Sequence, residues 1–385
     1  MKRIYFDHAA TTPLDPEVTA AMAPFLGPAF GNPSSVHEFG QRARAAIDDA
    51  RDNVGALIGA SASEIVFTSG GTEANNLALF GLAYAPSRDP RRDRIICSAV
   101  EHHSVLDSCA ALERRGFRVT RVPVGSAARV DAARVIELVD DRTLLVSIML
   151  ANNEVGTLQP VREIARACRE RGAPVHTDAV QAVGNMPVDA AELGVDLLSL
   201  SAHKFYGPKG AGALFVRRGM EIEPILFGGG QESGRRSGTE NVAAIVGLGA
   251  AARLAREKMP QRLPNTKRLR DRLLEEIPRL IEAVAITGDP KHRLPGSASF
   301  LVEGVEGESL LIALDLDGVA ASSGSACALG ALEASHVLLA MGLSEAQARS
   351  HLRLSVGHEN TGEEVDRLLE VLPAIVRRLR SLSTG

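Results

Sequence analysis

Cysteine is scarce in this chain. Four occur among 385 residues, at positions 97, 109, 168 and 327, and no two form a CxxC pair. A cysteine-based zinc site is therefore not expected, nor is any other metal site. The opening residues, Met1-Lys2-Arg3-Ile4-Tyr5-Phe6-Asp7-His8, lack the apolar core of a signal peptide. Long hydrophobic runs are missing as well. The most apolar stretch, 242–252, is too short and too glycine-rich to span a bilayer. Both absences predict a cytoplasmic protein, where disulfides are not expected. Strong net charge is absent too: 43 Lys and Arg face 47 Asp and Glu, for a net −4. Nothing there favours nucleic acid or an anionic membrane as a partner. Neither GK[ST] nor GxGxxG occurs after a strand-like segment, and there are no internal repeats or low-complexity segments.

What is present is a large apolar fraction, 45% of the residues, over a length that predicts two or three domains. Residues 1–35 are rich in turn formers and read as an extended arm that wraps another part of the molecule or a partner. Apolar residues from Phe39 to Ile58 recur at helical spacing. From 64 to 216, strand-like runs (64–68, 94–98, 118–123, 143–149, 174–177, 195–200 and 212–216) alternate with helix-like ones. That alternation predicts an α/β domain built on a large, mostly parallel seven-stranded sheet covered on both faces. From 241 to 280 the chain reads as helix, broken at Pro260 and Pro264. Strands at 297–302, 318–322 and 351–356, with a last helix capped by Thr361 and Glu364, predict a smaller α+β domain. We place the large domain at 15–258 and the small one at 1–14 and 259–385.

The chemistry-bearing motifs fall at strand ends. Lys204, in Ser201-Ala202-His203-Lys204, closes an apolar run and precedes a Pro/Gly cluster. It therefore sits where open α/β sheets bind ligands, and a lysine there can form a Schiff base; taken alone, a lysine after a strand is more often a solvated loop charge. Ser69-Gly70-Gly71-Thr72 joins a strand to a helix start that suits a phosphate, or is an ordinary connection. His102, in Glu101-His102-His103, can stack on a planar ligand or exchange protons near neutral pH, or lie on the surface. Ala151-Asn152-Asn153-Glu154 offers amides to a ligand. Asp178 can pair with a protonated ring nitrogen, the partner that the pyridinium of pyridoxal phosphate takes, or can cap a helix. Gln181 can reach a phenolic oxygen. In the smaller domain, Ser322-Ser323-Gly324-Ser325-Ala326-Cys327 has the small residues of a mobile, accessible loop. An exposed thiol with an ordinary pKa of about 8.5 carries some thiolate near neutrality, whereas the ordinary alternative for Cys327 is a buried structural thiol. Cys97, Cys109 and Cys168 read as small core residues.

In order and spacing, these motifs resemble the cysteine desulfurases of the NifS/IscS-like group within the class V aminotransferases. The resemblance runs from Asp7-His8-Ala9-Ala10-Thr11-Thr12-Pro13 to Leu352-Arg353-Leu354-Ser355. It implies a fold-type I pyridoxal 5′-phosphate enzyme working as a homodimer. It assigns Lys204 as the lysine joined to the cofactor and Asp178 as the pyridinium partner. Gln181 and Asn153 contact the phenolic oxygen, and His102 stacks on the ring as a catalytic residue. Gly71, Thr72, Ser201 and His203 hold the phosphate, with Thr239 reaching over from the other subunit. Arg353 clamps the substrate carboxylate, and Asn32 is a second substrate contact. The residues after Cys327, Ala328-Leu329-Gly330, depart from the serines and threonines usual in relatives.

The implied reaction is desulfuration. L-cysteine takes the place of Lys204 on the cofactor, Lys204 removes the α-proton, and the Cys327 thiolate attacks the substrate sulfur. The products are alanine and a persulfide on Cys327, so a sulfur-acceptor protein, such as an iron–sulfur scaffold, is implied. Two alternatives use the same residues differently: a selenocysteine lyase, and a silent family member acting as a scaffold. Transamination leaves Cys327 without a role.

Overall fold

The computed structural model describes residues 3–324 and 334–383. Strands are β1 (Ile4–Tyr5), β2 (Ile65–Thr68), β3 (Arg94–Ser98), β4 (Arg118–Val122), β5 (Thr143–Ser147), β6 (Val175–Asp178), β7 (Leu197–Ser201), β8 (Gly212–Val216), β9 (Val284–Ile286), β10 (Ser297–Val302), β11 (Val319–Ala320) and β12 (His351–Ser355). Helices are α1 (Pro16–Met22), α2 (Glu38–Leu57), α3 (Gly71–Ala83), α4 (His103–Glu113), α5 (Ala132–Leu138), α6 (Val161–Glu170), α7 (Ala190–Leu193), α8 (Val242–Leu280), α9 (Gly307–Leu316), α10 (His336–Ala340), α11 (Glu345–Arg349) and α12 (Gly362–Ser383).

The expected seven-stranded sheet forms, in the order β2-β8-β7-β6-β5-β3-β4. Its β3–β4, β3–β5, β5–β6 and β6–β7 pairs are parallel, while β8 runs antiparallel to both β7 and β2. Side chains alternate across the sheet, as the two-residue strand period requires. Ile96, Val146, Leu198 and Phe215 join one buried cluster with α2, α6 and the first half of α8. Their neighbours Ile95, Leu145, Leu197 and Leu214 join another with α3 and α4. Both faces are covered, so the strands read as continuous apolar runs. The run expected at 195–200 begins two residues later. Asp196 still bonds its neighbours through the backbone, its amide donating to the Val175 carbonyl at 2.8 Å, while its carboxylate accepts from the Val175 amide at 2.7 Å and pairs with Arg217 at 2.6 Å.

A second core packs β12-β10-β9 and the β1–β11 pair against α9, α12 and the last turns of α8. Two expectations need correction. The first 35 residues are more than an extended arm. Ile4–Tyr5 pairs in parallel with Val319–Ala320, and Asp15 caps α1 by accepting from the Glu17 amide at 2.9 Å, with Pro16 in the first turn. The expected break at Pro260 and Pro264 does not occur, and α8 is one helix of 39 residues. Each proline removes one helix hydrogen bond. The helix holds because it is buried at both ends, by Leu248, Ala251 and Leu254 in the first core and by Leu269, Leu273 and Ile277 in the second. Cys97, Cys109 and Cys168 are buried and unpaired, as expected of core thiols.

Candidate active site

The carboxyl ends of β5, β6 and β7 and the N-terminus of α3 surround a cavity of about 380 Å³. Of the residues singled out in the sequence, Gly71, Thr72, His102, Asn153, Asp178, Gln181, Ser201, His203, Lys204 and Arg353 all line it. Thr239 and Asn32 do not. Thr239 lines a separate surface hollow beside Thr68, Ser69 and Arg236. Asn32 is exposed, its side-chain oxygen accepting from the Ser34 amide at 2.9 Å. Cys327 lies outside the described residues.

Lys204 follows β7 after a single tight turn. Its Nζ donates to the carbonyls of Ala9 at 2.6 Å and Ala10 at 2.8 Å. Those carbonyls belong to the Asp7–Pro13 stretch, which crosses the site and is pinned from several sides. The Thr12 amide donates to the His203 carbonyl at 2.9 Å, His203 Nδ1 lies 3.1 Å from Thr11 Oγ1, and Gln181 Nε2 donates to the Ala9 carbonyl at 3.0 Å. Burial, with the charges of Lys204 and Lys209, lowers the His203 pKa to about 4, so this ring is neutral.

Asp178 ends β6. Both its oxygens accept hydrogen bonds, Oδ1 from the Val180 amide at 3.0 Å and Oδ2 from Asn75 Nδ2 at 2.7 Å. The same Asn75 nitrogen donates to Ser104 Oγ at 2.8 Å, and Ser104 Oγ lies 2.8 Å from His102 Nδ1. The Ser104 amide also donates to that Nδ1, at 3.1 Å, so Nδ1 is an acceptor and the ring proton sits on Nε2. Burial and nearby positive groups lower the His102 pKa against the pull of Asp178. The result is a neutral, flat ring fixed at the first turn of α4. At the start of α3, a Cβ on Gly71 would lie 2.6 Å from Val180 Cγ2, so only glycine lets the helix start approach so closely.

Arg353, on β12, is almost wholly buried. Its Nη1 donates to the Asn153 carbonyl at 2.8 Å and its Nη2 to Asp7 Oδ1 at 2.7 Å, while Nε is buried without a partner. A planar carboxylate would satisfy that free edge of the fork. Cation, carboxylate, neutral imidazole and guanidinium thus surround one cavity with a helix N-terminus at its side. That donor set fits a flat, phosphorylated, protonated ring that takes an amino acid.

Three further residues belong to the arrangement and carry no role in the sequence reading. Asn75 lies one helical turn beyond Gly71 and Thr72, so it faces the side they face; that spacing was the available signal. Asp7 orients Arg353 from 346 residues away, and nothing local marks it. Glu101, beside His102, is wholly buried. Its Oε1 accepts from Ser98 Oγ at 2.6 Å and the Met149 amide at 2.8 Å, and its Oε2 has no partner. Burial raises its pKa to about 8 from an ordinary 4.5. The folded chain therefore keeps a proton that the unfolded chain has released, and stability falls as pH rises through that window. Glu101→Gln stays neutral at every pH. The wild-type melting temperature, measured relative to this variant, should drop between about pH 5 and about pH 8; parallel curves would show that Glu101 is ionised in the fold.

Residues 4–368 match the family model for class-V aminotransferases. A cysteine desulfurase IscS of Dictyoglomus turgidum is 48% identical over 384 residues, covering 100% of this chain and 97% of the relative. A solved NifS-like protein superposes with a TM-score of 0.91 at 38% identity, covering 98% of this chain and 100% of that one. Another, SspA in complex with cysteine, gives 0.79 at 35% identity, covering 93% and 100%. A lysine and an aspartate at neighbouring strand ends, a neutral histidine and an arginine on one cavity, together with these likenesses along nearly the whole length, place the chain in the class-V aminotransferase family, in its NifS/IscS-like cysteine desulfurase group.

Proposed function

We propose that the protein converts L-cysteine to L-alanine and retains the sulfur as a persulfide on Cys327. One observation carries the reading: Lys204, Asp178 and Arg353 line a single cavity. Members of this family depend in general on pyridoxal phosphate, which supplies an electron-accepting ring when bound. In this chain Asp178 holds the proton on the ring nitrogen, with Asn75 fixing its carboxylate. The flat ring of His102 would stack on the bound ring, and Gln181 and Asn153 would offer hydrogen bonds to its oxygen. Gly71, Thr72, Ser201 and His203 take the phosphate. Lys204 would hold the cofactor through its amine, and the same Nζ is the base placed to take the substrate's α-proton. Arg353 holds the substrate carboxylate through its open edge. Desolvation of the cavity strengthens each of these polar contacts.

The working form is a homodimer, in which Thr239 reaches the partner's phosphate site and Asn32 its substrate. Exposed apolar side chains support this reading: Phe30 (75%), Val36 (89%) and Phe227 (77%), with Phe30 stacked on Phe39 at 5.4 Å between ring centres. Cytoplasmic placement accords with three buried, unpaired thiols. A persulfide is a transferable sulfur, so an acceptor protein completes the cycle. The test is to supply pyridoxal phosphate, record the visible spectrum, add L-cysteine with a thiol reductant, and measure alanine and sulfide. One alanine for each sulfide is expected. A coloured protein that yields neither would rule the proposal out.

A further inference from the structure

The segment that carries Cys327 leaves the described fold at Gly324 and rejoins it at Ala334, and these two ends are attached to different cores. At the entry end, the Ser322 amide and carbonyl pair with Arg353 on β12, and the Gly324 amide donates to Ser322 Oγ at 3.0 Å. His351 Nδ1 lies 2.7 Å from the Ser323 carbonyl, which can only accept, so Nδ1 carries the ring proton. His351 Nε2 then accepts from Ser299 Oγ at 2.6 Å. The entry end thus belongs to the β12-β10-β9 sheet. At the exit end, Val337, Leu338 and Met341 pack with Val100 and Val155, which lie in the loops after β3 and β5 of the large sheet. His336 Nε2 donates to the Glu101 carbonyl at 2.9 Å.

One side chain is bonded to the exit end and stands beside the entry end. Glu154 is buried in the turn after β5, where its amide donates to Asn152 Oδ1 at 2.9 Å. Its Oε2 accepts from the Ser335 hydroxyl, which in turn caps α10 by accepting from the Leu338 amide at 3.3 Å. The same Oε2 lies 3.2 Å from where a Cβ on Gly324 would stand, and the His351 ring lies 3.1 Å from that point. Gly324 has φ +88°, a conformation only glycine adopts cheaply. We infer that Glu154 is a positioning residue for sulfur transfer. Its carboxylate clasps Ser335 at a point beside Gly324 and so fixes the exit end of the thiol-bearing segment next to its entry end. The inference rests on the persulfide reading above. Its physical content is reach: three residues of chain span at most about 10 Å, so the placing of Gly324 bounds where the Cys327 sulfur can act.

The test uses the pyridoxal-phosphate-loaded enzyme. Glu154→Ala should keep the cofactor absorption and the half-saturating L-cysteine concentration of the spectral change, while kcat for sulfide release falls at least about tenfold. Ser335→Ala should fall similarly, and the double variant no further than the worse single one, because both remove one contact. Glu154→Gln, whose amide oxygen can still accept from Ser335, should recover most of kcat. Unchanged kcat in both single alanine variants, or an equal loss of kcat and of L-cysteine binding, overturns the inference. If Glu154→Ala fails to fold, Ser335→Ala alone decides between these results. Cys327→Ala, run alongside, separates the two readings. Full turnover in that variant overturns the persulfide reading. An inactive Cys327→Ala beside normal Glu154→Ala and Ser335→Ala overturns only the clasp.

Discussion

Lys204→Ala is expected to remove the bound chromophore's covalent character and cut L-cysteine turnover by about 10⁴-fold or more. Proton transfer by a placed base alone is worth about 10²–10⁴, and on the proposed reading this lysine also holds the cofactor for the substrate. The position is restrictive because Nζ is already fixed by the Ala9 and Ala10 carbonyls at the end of β7. Among the described residues no other lysine lines the cavity, so none of them can substitute. The variant should still take up pyridoxal phosphate through the phosphate site, but should lose it on dialysis. Turnover within tenfold of wild type would remove Lys204 from the mechanism.

Cys327→Ala should separate the two halves of the reaction. Binding and α-proton removal use residues of the cavity, none of which is changed, so the chromophore and its response to L-cysteine should persist. Sulfur removal should fall by several orders of magnitude, since deleting a catalytic nucleophile can cost up to about 10⁶-fold. In the wild-type step the sulfur–sulfur bond forms as the substrate's carbon–sulfur bond breaks. The electron pair stays with carbon, which is protonated to give alanine, and the sulfur is left oxidised as persulfide. Mass spectrometry of the wild-type chain after one turnover without reductant should find one added sulfur, and none on the variant. An alanine yield from Cys327→Ala at the wild-type rate would mean that the sulfur leaves without this thiol.

The parts of the site legible in sequence are those where one residue type at a strand end has few ordinary uses. Lys204, Asp178 and the glycine pair before α3 were visible because apolar strands and Pro/Gly punctuation place them. Asp7, Glu101, Asn75 and Glu154 have no role visible in the sequence, since their partners are remote: Arg353, Met149, Asp178 and Ser335. Side-chain pairing across the chain has no local signature. The same limit explains the helix α8. Pro260 and Pro264 read as breaks because local propensity opposes them, and burial against two cores, which no window of sequence contains, overrides that propensity.

The order of strands in the large sheet sets a schedule for synthesis. β2, which leads directly into the Gly71–Thr72 helix start, is an edge strand paired only with β8. Its partner is made long after it, and at ordinary translation rates the wait is on the order of ten seconds. Until Gly212–Val216 emerges, β2 has no neighbour and the phosphate site has no floor. A ribosome stalled before that point should hold a chain unable to retain pyridoxal phosphate, whereas one stalled well after it has every strand the sheet requires. On the proposed reading, cofactor capture is expected late on the growing chain, and the β2 segment is the stretch that a nascent-chain chaperone has most reason to shield.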